Sequence, residues 1–358
     1  MFVLDTALHS TIHFDVIIAG AGIIGLSLAL ELRREGLAVA IFDAAEPGHG
    51  ASHAAAGMLA ARDPEMPKAL LPLTIASAEM FPDFVHSLKS SGVDIDFQQH
   101  GTLVFHESEN PSIGIRLNEV ELCCIEPELI MNGNAVSLLV EDVVDPRSLT
   151  MAAMVSAFRA GITLFAFEAI QSVLRKEDSS LEVVTEKGRY RTHKFVNCAG
   201  AWANEVTDVN VPARPIKGHM ISLKSKHPFS LRHVVRTPEA YMVPRKNGSI
   251  VIGATVEDVG FDASVDPATI EQLWSSAVKY VPELRGAEMT ESWIGFRPGS
   301  PDKLPIMGAT GPEDCFVATG HYRNGILLAP LTAKIMVDLL LHKEPSIDIS
   351  AFSPQRFK

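Results

Sequence analysis

The sequence predicts an α/β chain, a doubly wound parallel sheet into which a second, antiparallel sheet is inserted. Three observations predict it. The aliphatic run FDVIIAG (Phe14 to Gly20) leads directly into a helical pattern and then a second aliphatic run, LAVAIFDA (Leu37 to Ala44). Such a strand, glycine turn, helix and strand within about 30 residues form a βαβ unit. Two similar runs, KFVNCAG ending at Gly200 and CFVATG ending at Gly320, recur far along the chain. Between them lie mixed-polarity stretches with hairpin turns. At 358 residues the chain exceeds one ordinary core, so two domains are expected.

Each element has a local reason. IIGLSLALELRREG (Ile23 to Gly36) is helical, with Glu31, Arg33, Arg34 and Glu35 outward and Gly36 as a stop. Gly48 to Ala61 is rich in glycine and alanine, and helical segments follow to about Leu88. VDIDFQQHGTLVFHES predicts strand, turn and strand, whereas Glu121 to Val140 is weakly patterned. Asp145 to Gly161 predicts an amphipathic helix with Asp145 as N-cap and Pro146 at its first position. Ala169 to Gly200 predicts a hairpin and then a buried strand. Ile216 to Gly260 predicts antiparallel strands turning at Asn247-Gly248, and a helix is expected from about Pro267 to Tyr280. The expected division is 1–85, 145–215 and 293–358 for the parallel-sheet domain, with 86–144 and 216–292 for the other.

Composition removes several functions. Hydrophobic residues make up 47% and charged residues 21%, ordinary globular values, and the net charge of −12 argues against a nucleic-acid partner. Cys123, Cys124, Cys198 and Cys315 show neither C-x-x-C nor zinc spacing and fit a reduced, cytoplasmic protein. The N-terminal MFVLDTALHSTIH lacks a basic start and a long apolar core, so no signal peptide is expected. Val16 to Leu30 carries no charge, but it is shorter than the ~20 residues a membrane span needs and is broken by three glycines. His49 and His53 sit in a glycine-rich loop, so no metal is expected there. No G-x-S-x-G, H-E-x-x-H or P-loop is present.

The three glycines are Gly20, Gly22 and Gly25, a G-x-G-x-x-G between strand and helix. The first makes the turn, the second admits a pyrophosphate, and the third lets helix and strand pack closely. Asp43 ends the next strand, about 23 residues on, where an acid accepts ribose hydroxyls. A dinucleotide cofactor follows, either nicotinamide or flavin. Flavin is favoured by the small-residue segment GASHAAAGML just after the acid and by GHYRNGILLAP (Gly320 to Pro330), which starts a helix beside the sheet edge.

VIIAGAGIIGLSLA, GASHAAAGMLA, VNCAGAWA, YMVPRKNGSIVIGAT, GFRPGSPDKLPIMG and GHYRNGILLAP together carry a resemblance. Over nearly its full length the chain resembles the D-amino-acid-oxidase-like family of FAD enzymes, nearest its glycine-oxidase members of the thiamine pathway. The resemblance implies a Rossmann-like FAD-binding domain of the GR2 type and non-covalent FAD. Ile23, Ile24, Asp43, Ala44, Ala51, Ser52, Ala56, Gly57, Met58 and Ile170 would contact it. His321, Tyr322, Arg323, Asn324, Gly325, Ile326 and Leu327 would run along the flavin's pyrimidine edge. Arg297 and Arg323 would lie at the substrate, with Tyr241 opposite; Arg297 with Tyr241 would fix its carboxylate, and no protein base is assigned. Glu239 and Val256 stand where histidine and methionine can occur in glycine oxidases. Also implied are a small amine or amino-acid substrate, oxygen as acceptor, a homo-oligomer and a thiazole-synthesis partner. Three alternatives stay open: a dehydrogenase passing electrons to a quinone or carrier, a flavin-binding subunit of a larger complex, and a nicotinamide enzyme.

Overall fold

The computed structural model describes residues 13–107, 113–206, 210–226, 231–311 and 314–357. The stretch 1–12, for which no signal peptide is expected, lies outside them. Five strands run parallel in the first sheet: Cys315–Thr319, Arg189–Asn197, His13–Ala19, Val39–Phe42 and Thr163–Phe165. The first half of Arg189–Asn197 also pairs with the predicted hairpin, Ile170–Arg175 and Leu181–Thr185. Ile306–Ala309 closes the other side against Cys315–Thr319.

Both faces of this sheet are covered, which is why its strands read as unbroken aliphatic runs. Val16 and Ile18 join the core under the helices Ile23–Arg34, Pro146–Arg159 and Gly325–Leu340. Ile17 and Ala19 face the opposite core, with Phe195, Leu181 and Val183. There Phe42 stacks on Phe165 at 4.4 Å, with Tyr190 edge-on at 4.8 Å. Asp145 caps its helix as expected, its carboxylate accepting from the Arg147 and Ser148 N–H groups.

The second sheet has the order Glu288–Gly299, Arg214–Lys224, Ser249–Gly253, Tyr241–Pro244, Val234–Arg236, Thr102–His106, Ala135–Leu139, Ile115–Leu117. Its pairs are antiparallel except Val234–Arg236 with Thr102–His106, which is parallel, so the inserted sheet is mixed rather than purely antiparallel. Alternation along its strands separates two faces. Ile221, Leu223, Ile250 and Ile252 pack under the helix Pro267–Tyr280, whereas Met220, Val251 and Tyr241 turn toward Ala56, Met58 and Val143. Gly248, at φ +80°, turns the predicted hairpin.

Two local expectations are corrected. Phe97–Gln98 and Thr102–His106 do not pair with each other. The first joins a three-stranded sheet with Met58–Leu59 and Asp142–Val144, and Gly101, at φ +92°, turns the chain into the other sheet. The weakly patterned stretch contains the helix Glu119–Ile125 and the strand Ala135–Leu139.

Candidate active site

The carboxyl ends of the parallel strands open onto one cavity of about 980 Å³, which continues between the two sheets. Gly20, Asp43, Cys198 and Gly320 each follow a strand end on that edge.

The glycine turn is fixed by close approach. At φ +98°, Gly20 lies where a Cβ would sit 2.5 Å from the Cys198 carbonyl oxygen. A Cβ on Gly25 would sit 2.0 Å from the Gly20 carbonyl oxygen, so Gly25 seals helix to strand and does not line the cavity. Gly22 is open on the cavity side, with only Ser52 Oγ at 3.3 Å. No side chain caps the helix there, although the Ile23 N–H donates to Ser52 Oγ at 3.0 Å. A helix start with no N-cap side chain suits a phosphate, which would share the turn with Ser52 Oγ. Asp43 lines the cavity, and its carboxylate accepts from the Ala21 and Ala45 N–H groups at 2.7 and 2.9 Å. Burial raises its pKa, against these two bonds. Each oxygen keeps a lone pair, so a ribose hydroxyl can still be accepted.

Ala44, Ala51, Ser52, Ala56, Gly57, Met58 and Ile170 line the same cavity. Gly57, at φ +82°, has the Val144 carbonyl oxygen 1.8 Å from a built Cβ, which forces the Ala56–Met58 backbone against the Asp142–Val144 strand. Two residues that the sequence did not single out hold this segment. Arg245 donates to the Ala56 carbonyl at 2.7 Å, and Arg147 makes a two-pronged pair with Glu291 beneath the Ala51–Ala54 turn while its guanidinium lies over Trp293.

On the far side, Gly320 and Tyr322 take left-handed φ of +72° and +50°, turning the chain into Gly325–Leu340. The Tyr322 N–H donates to the Pro298 carbonyl at 3.0 Å, joining this loop to the strand that carries Arg297. Asn324 is the N-cap without a side-chain bond to the helix, so a second helix start faces the cavity. His321, Tyr322, Arg323, Asn324, Gly325 and Ile326 line it. Leu327 does not. Its side chain is in the core and its carbonyl accepts from Ser77 Oγ at 2.7 Å.

His321 is 2% exposed, with Nε2 3.1 Å from Thr332 Oγ1, and burial pushes its pKa down to about 4. It is therefore neutral at pH 7. Between its ordinary value of 6.5 and about 4, the unfolded chain takes up a proton that the folded one refuses. Stability falls as pH drops through that window, by up to ~3 kcal/mol from this group, and the loss levels off below it. Urea unfolding of the FAD-saturated protein at pH 7 and 4.5 should show this drop, smaller in His321→Gln. Equal drops would remove His321 as its source.

The substrate-side residues converge at the joint between the sheets. Arg297 lies flat across Gly218, where a Cβ would be 2.3 Å from Nη1. Nη1 donates to the Thr255 and Lys217 carbonyls at 3.0 and 3.3 Å, which leaves the rest of the fork for Tyr241 and a ligand. Tyr241 rests over Gly253 in the same way, its hydroxyl 3.2 Å from Met220 Sδ. Burial raises its pKa, partly offset by the nearby Arg297 and Arg323 guanidiniums. Arg323 is placed differently, half exposed at the cavity wall and paired with Glu65 at 3.0 Å. Glu239 and Val256 also line the cavity, and Glu239 accepts from Tyr280 Oη at 2.8 Å and lies 3.3 Å from Lys279 Nζ. His49 and His53 stack at 4.5 Å, and among the described residues no cluster could hold a metal. No described helix is long and apolar enough to cross a membrane.

Two helix starts without N-cap side-chain bonds, an acid at the second strand and a wall of Gly and Ala backbone fit FAD. The comparisons agree. Residues 15–339 match the family model for FAD dependent oxidoreductases (DAO). The bifunctional protein ThiO/ThiG of Synechocystis sp. is 33% identical over 96% of this chain, which spans about half of that relative, 54% of its length. Hydrogen cyanide synthase subunit HcnC of Pseudomonas protegens is 31% identical, with 96% of both chains covered. The crystal structure of glycine oxidase from Geobacillus kaustophilus superposes with a TM-score of 0.90 at 30% identity, covering 97% of this chain and 99% of that one. The α/β fold, the family model and these likenesses agree that this chain belongs to the FAD dependent oxidoreductases of the D-amino-acid-oxidase type.

Proposed function

We propose that this chain is an FAD-dependent oxidase of glycine or another small amine or D-amino acid, releasing an imino acid and hydrogen peroxide. The observation that carries this reading is Arg297. It is a guanidinium seated on a glycine at the cavity wall, held through one nitrogen by two backbone carbonyls, with no protein carboxylate in its ion pairs among the described residues. Its free edge matches a carboxylate bidentately, and Tyr241 is placed to add a third bond. FAD, held by the glycine turn, Asp43 and the start of Gly325–Leu340, would supply two-electron redox chemistry, with oxygen as the final acceptor.

The residues' share of the work is positioning. Arg297 and Tyr241 fix the carboxylate, and the bound amine is neutral. When the Cα hydride leaves, the amine gives up a proton and a C=N bond forms, so no protein base at Cα is needed. The uncapped start of Gly325–Leu340 would favour negative charge placed at that end of the cavity. Gly20, Gly22, Ile23, Ile24, Asp43, Ala44, Ala51, Ser52, Ala56, Gly57, Met58 and Ile170, with His321 to Ile326, are proposed as the FAD surface. Gly25 and Leu327 act from behind it. The sequence has no cysteine between Cys198 and Cys315, which supports non-covalent FAD.

The strand distribution supports two interleaved domains, 1–85, 145–215 and 293–358 around FAD and 86–144 and 216–292 around the substrate. Glu288–Gly299 crosses residue 293, and Arg297 still pairs with Ile216 in the second sheet while it lines the cavity. A cytoplasmic location, a homo-oligomer and a thiazole-synthesis partner belong to the proposal. The last is suggested by the ThiO/ThiG relatives, in which a comparable length adjoins a second half.

The purified protein should be yellow with a flavin spectrum. Anaerobic glycine, sarcosine or D-alanine should bleach it, and air should restore the colour with release of peroxide. A colourless protein would remove the cofactor assignment. Bleaching without reoxidation in air would turn the reading to a dehydrogenase.

A further inference from the structure

We propose that the buried His219 and the half-buried Glu257 and Thr255 form a relay that positions Arg297, setting affinity for the substrate carboxylate without touching substrate or flavin. The proposal rests on the reading of Arg297 as the carboxylate clamp. None of the three lines the cavity. His219 is 0% exposed, on the strand Arg214–Lys224, one residue beyond the Gly218 seat of the guanidinium.

The bonds run in one direction. Asp266, the N-cap of Pro267–Tyr280, donates its N–H to His219 Nε2 at 3.1 Å. A neutral ring that accepts at Nε2 carries its proton on Nδ1, which lies 2.8 Å from Glu257 Oε1 and donates to it. The Thr255 hydroxyl donates to the same oxygen at 2.5 Å and accepts from the His219 N–H at 2.9 Å. Glu257 and Lys217 exchange two backbone bonds, 2.9 and 3.0 Å long. The two carbonyls that hold Arg297 Nη1 are those of Thr255 and Lys217. Both are therefore fixed by the residues that Glu257 ties down. The Lys217 ammonium, also buried, reaches Asp262 and Ser264 further along the segment.

This arrangement is costly unless it serves something. A buried imidazole and a partly buried carboxylate could be replaced by apolar side chains if the loop needed only packing. What the polar relay adds is direction, because it fixes two carbonyl oxygens and hence the plane of the guanidinium fork.

The test uses the FAD-loaded enzyme with the best of glycine, sarcosine and D-alanine, and acetate as a carboxylate that cannot be oxidised. Glu257→Ala should raise KM, and the acetate Kd read from the flavin absorbance, together by about tenfold, the cost of losing one well-placed hydrogen bond. The kcat should stay within about twofold, and FAD affinity should not change. Glu257→Gln keeps an acceptor for Thr255 and His219 and should recover most of the loss. Thr255→Val removes one hydroxyl at constant shape and gives a second reading where Glu257→Ala folds poorly. Unchanged KM and acetate Kd in both Glu257→Ala and Thr255→Val would overturn the relay, as would losses that follow FAD loss. Arg297→Ala is run alongside. If it too leaves KM unchanged, the clamp itself is wrong; if it alone raises KM, only the relay is.

Discussion

Arg297→Ala should raise the KM for the amino acid about 10²- to 10³-fold while FAD stays bound, the size expected when a desolvated charge-assisted pair loses one partner. The geometry makes this effect large. The guanidinium lies on Gly218, so no side chain separates it from the strand, and Nη1 is already committed to the Thr255 and Lys217 carbonyls. A carboxylate entering the cavity meets a fork that has already lost its rotamer freedom. Arg297→Lys keeps the charge but cannot make two parallel bonds, and it should recover only part of the loss. Arg323→Ala should cost much less, about tenfold at most, because Arg323 is half exposed and already paired with Glu65. Steady-state kinetics with FAD content measured in each variant decides this. A larger loss in Arg323→Ala than in Arg297→Ala would exchange the two assignments.

The parts of the fold legible in the sequence are those written in local chemistry. The helix Pro146–Arg159 begins with Asp-Pro and Asp145 caps it as expected; Pro267–Tyr280 repeats the pattern, with Asp266 as a cap that the sequence reading did not name. The helix Glu119–Ile125 was legible but missed. Asn118 and Glu121 form a full capping box, a signal hidden by the weak apolar pattern that follows. Ala135–Leu139 is harder to read, since Val136, Ser137 and Leu139 are all buried and no alternation survives. The pairing of Phe97–Gln98 away from Thr102–His106 is a long-range choice, made by Asp142–Val144 and Ala135–Leu139. At the site the same limit applies. Gly218 and Gly253 matter only for what lies over them, Arg297 and Tyr241, which are distant in sequence. Arg323 shows the converse: its loop was legible, but its pairing with Glu65 needed the fold.

The second large effect separates two glycines three residues apart. Gly25→Ala should destabilise the parallel sheet and its helices, by about 3 kcal/mol or more, because overpacking is costly where backbone meets backbone. Its Cβ would sit 2.0 Å from the Gly20 carbonyl oxygen, and neither partner has a flexible end that could yield. Ile23–Arg34 would have to lift from His13–Ala19, weakening the packing of Leu26, Leu28 and Leu32 in the largest core. Gly22→Ala should leave the fold almost untouched. Its φ of −74° suits any residue, and a Cβ meets only Ser52 Oγ at 3.3 Å. That Cβ stands instead where the pyrophosphate must approach the backbone, so the FAD Kd should rise about 10- to 100-fold. Thermal unfolding of the apoprotein and FAD titration by fluorescence separate the two effects. The expected pattern is a large fall in Tm for Gly25→Ala and an unchanged Tm with weakened FAD for Gly22→Ala. An unchanged FAD Kd in Gly22→Ala would mean that the phosphates are held elsewhere, with the turn serving only to pack helix on strand.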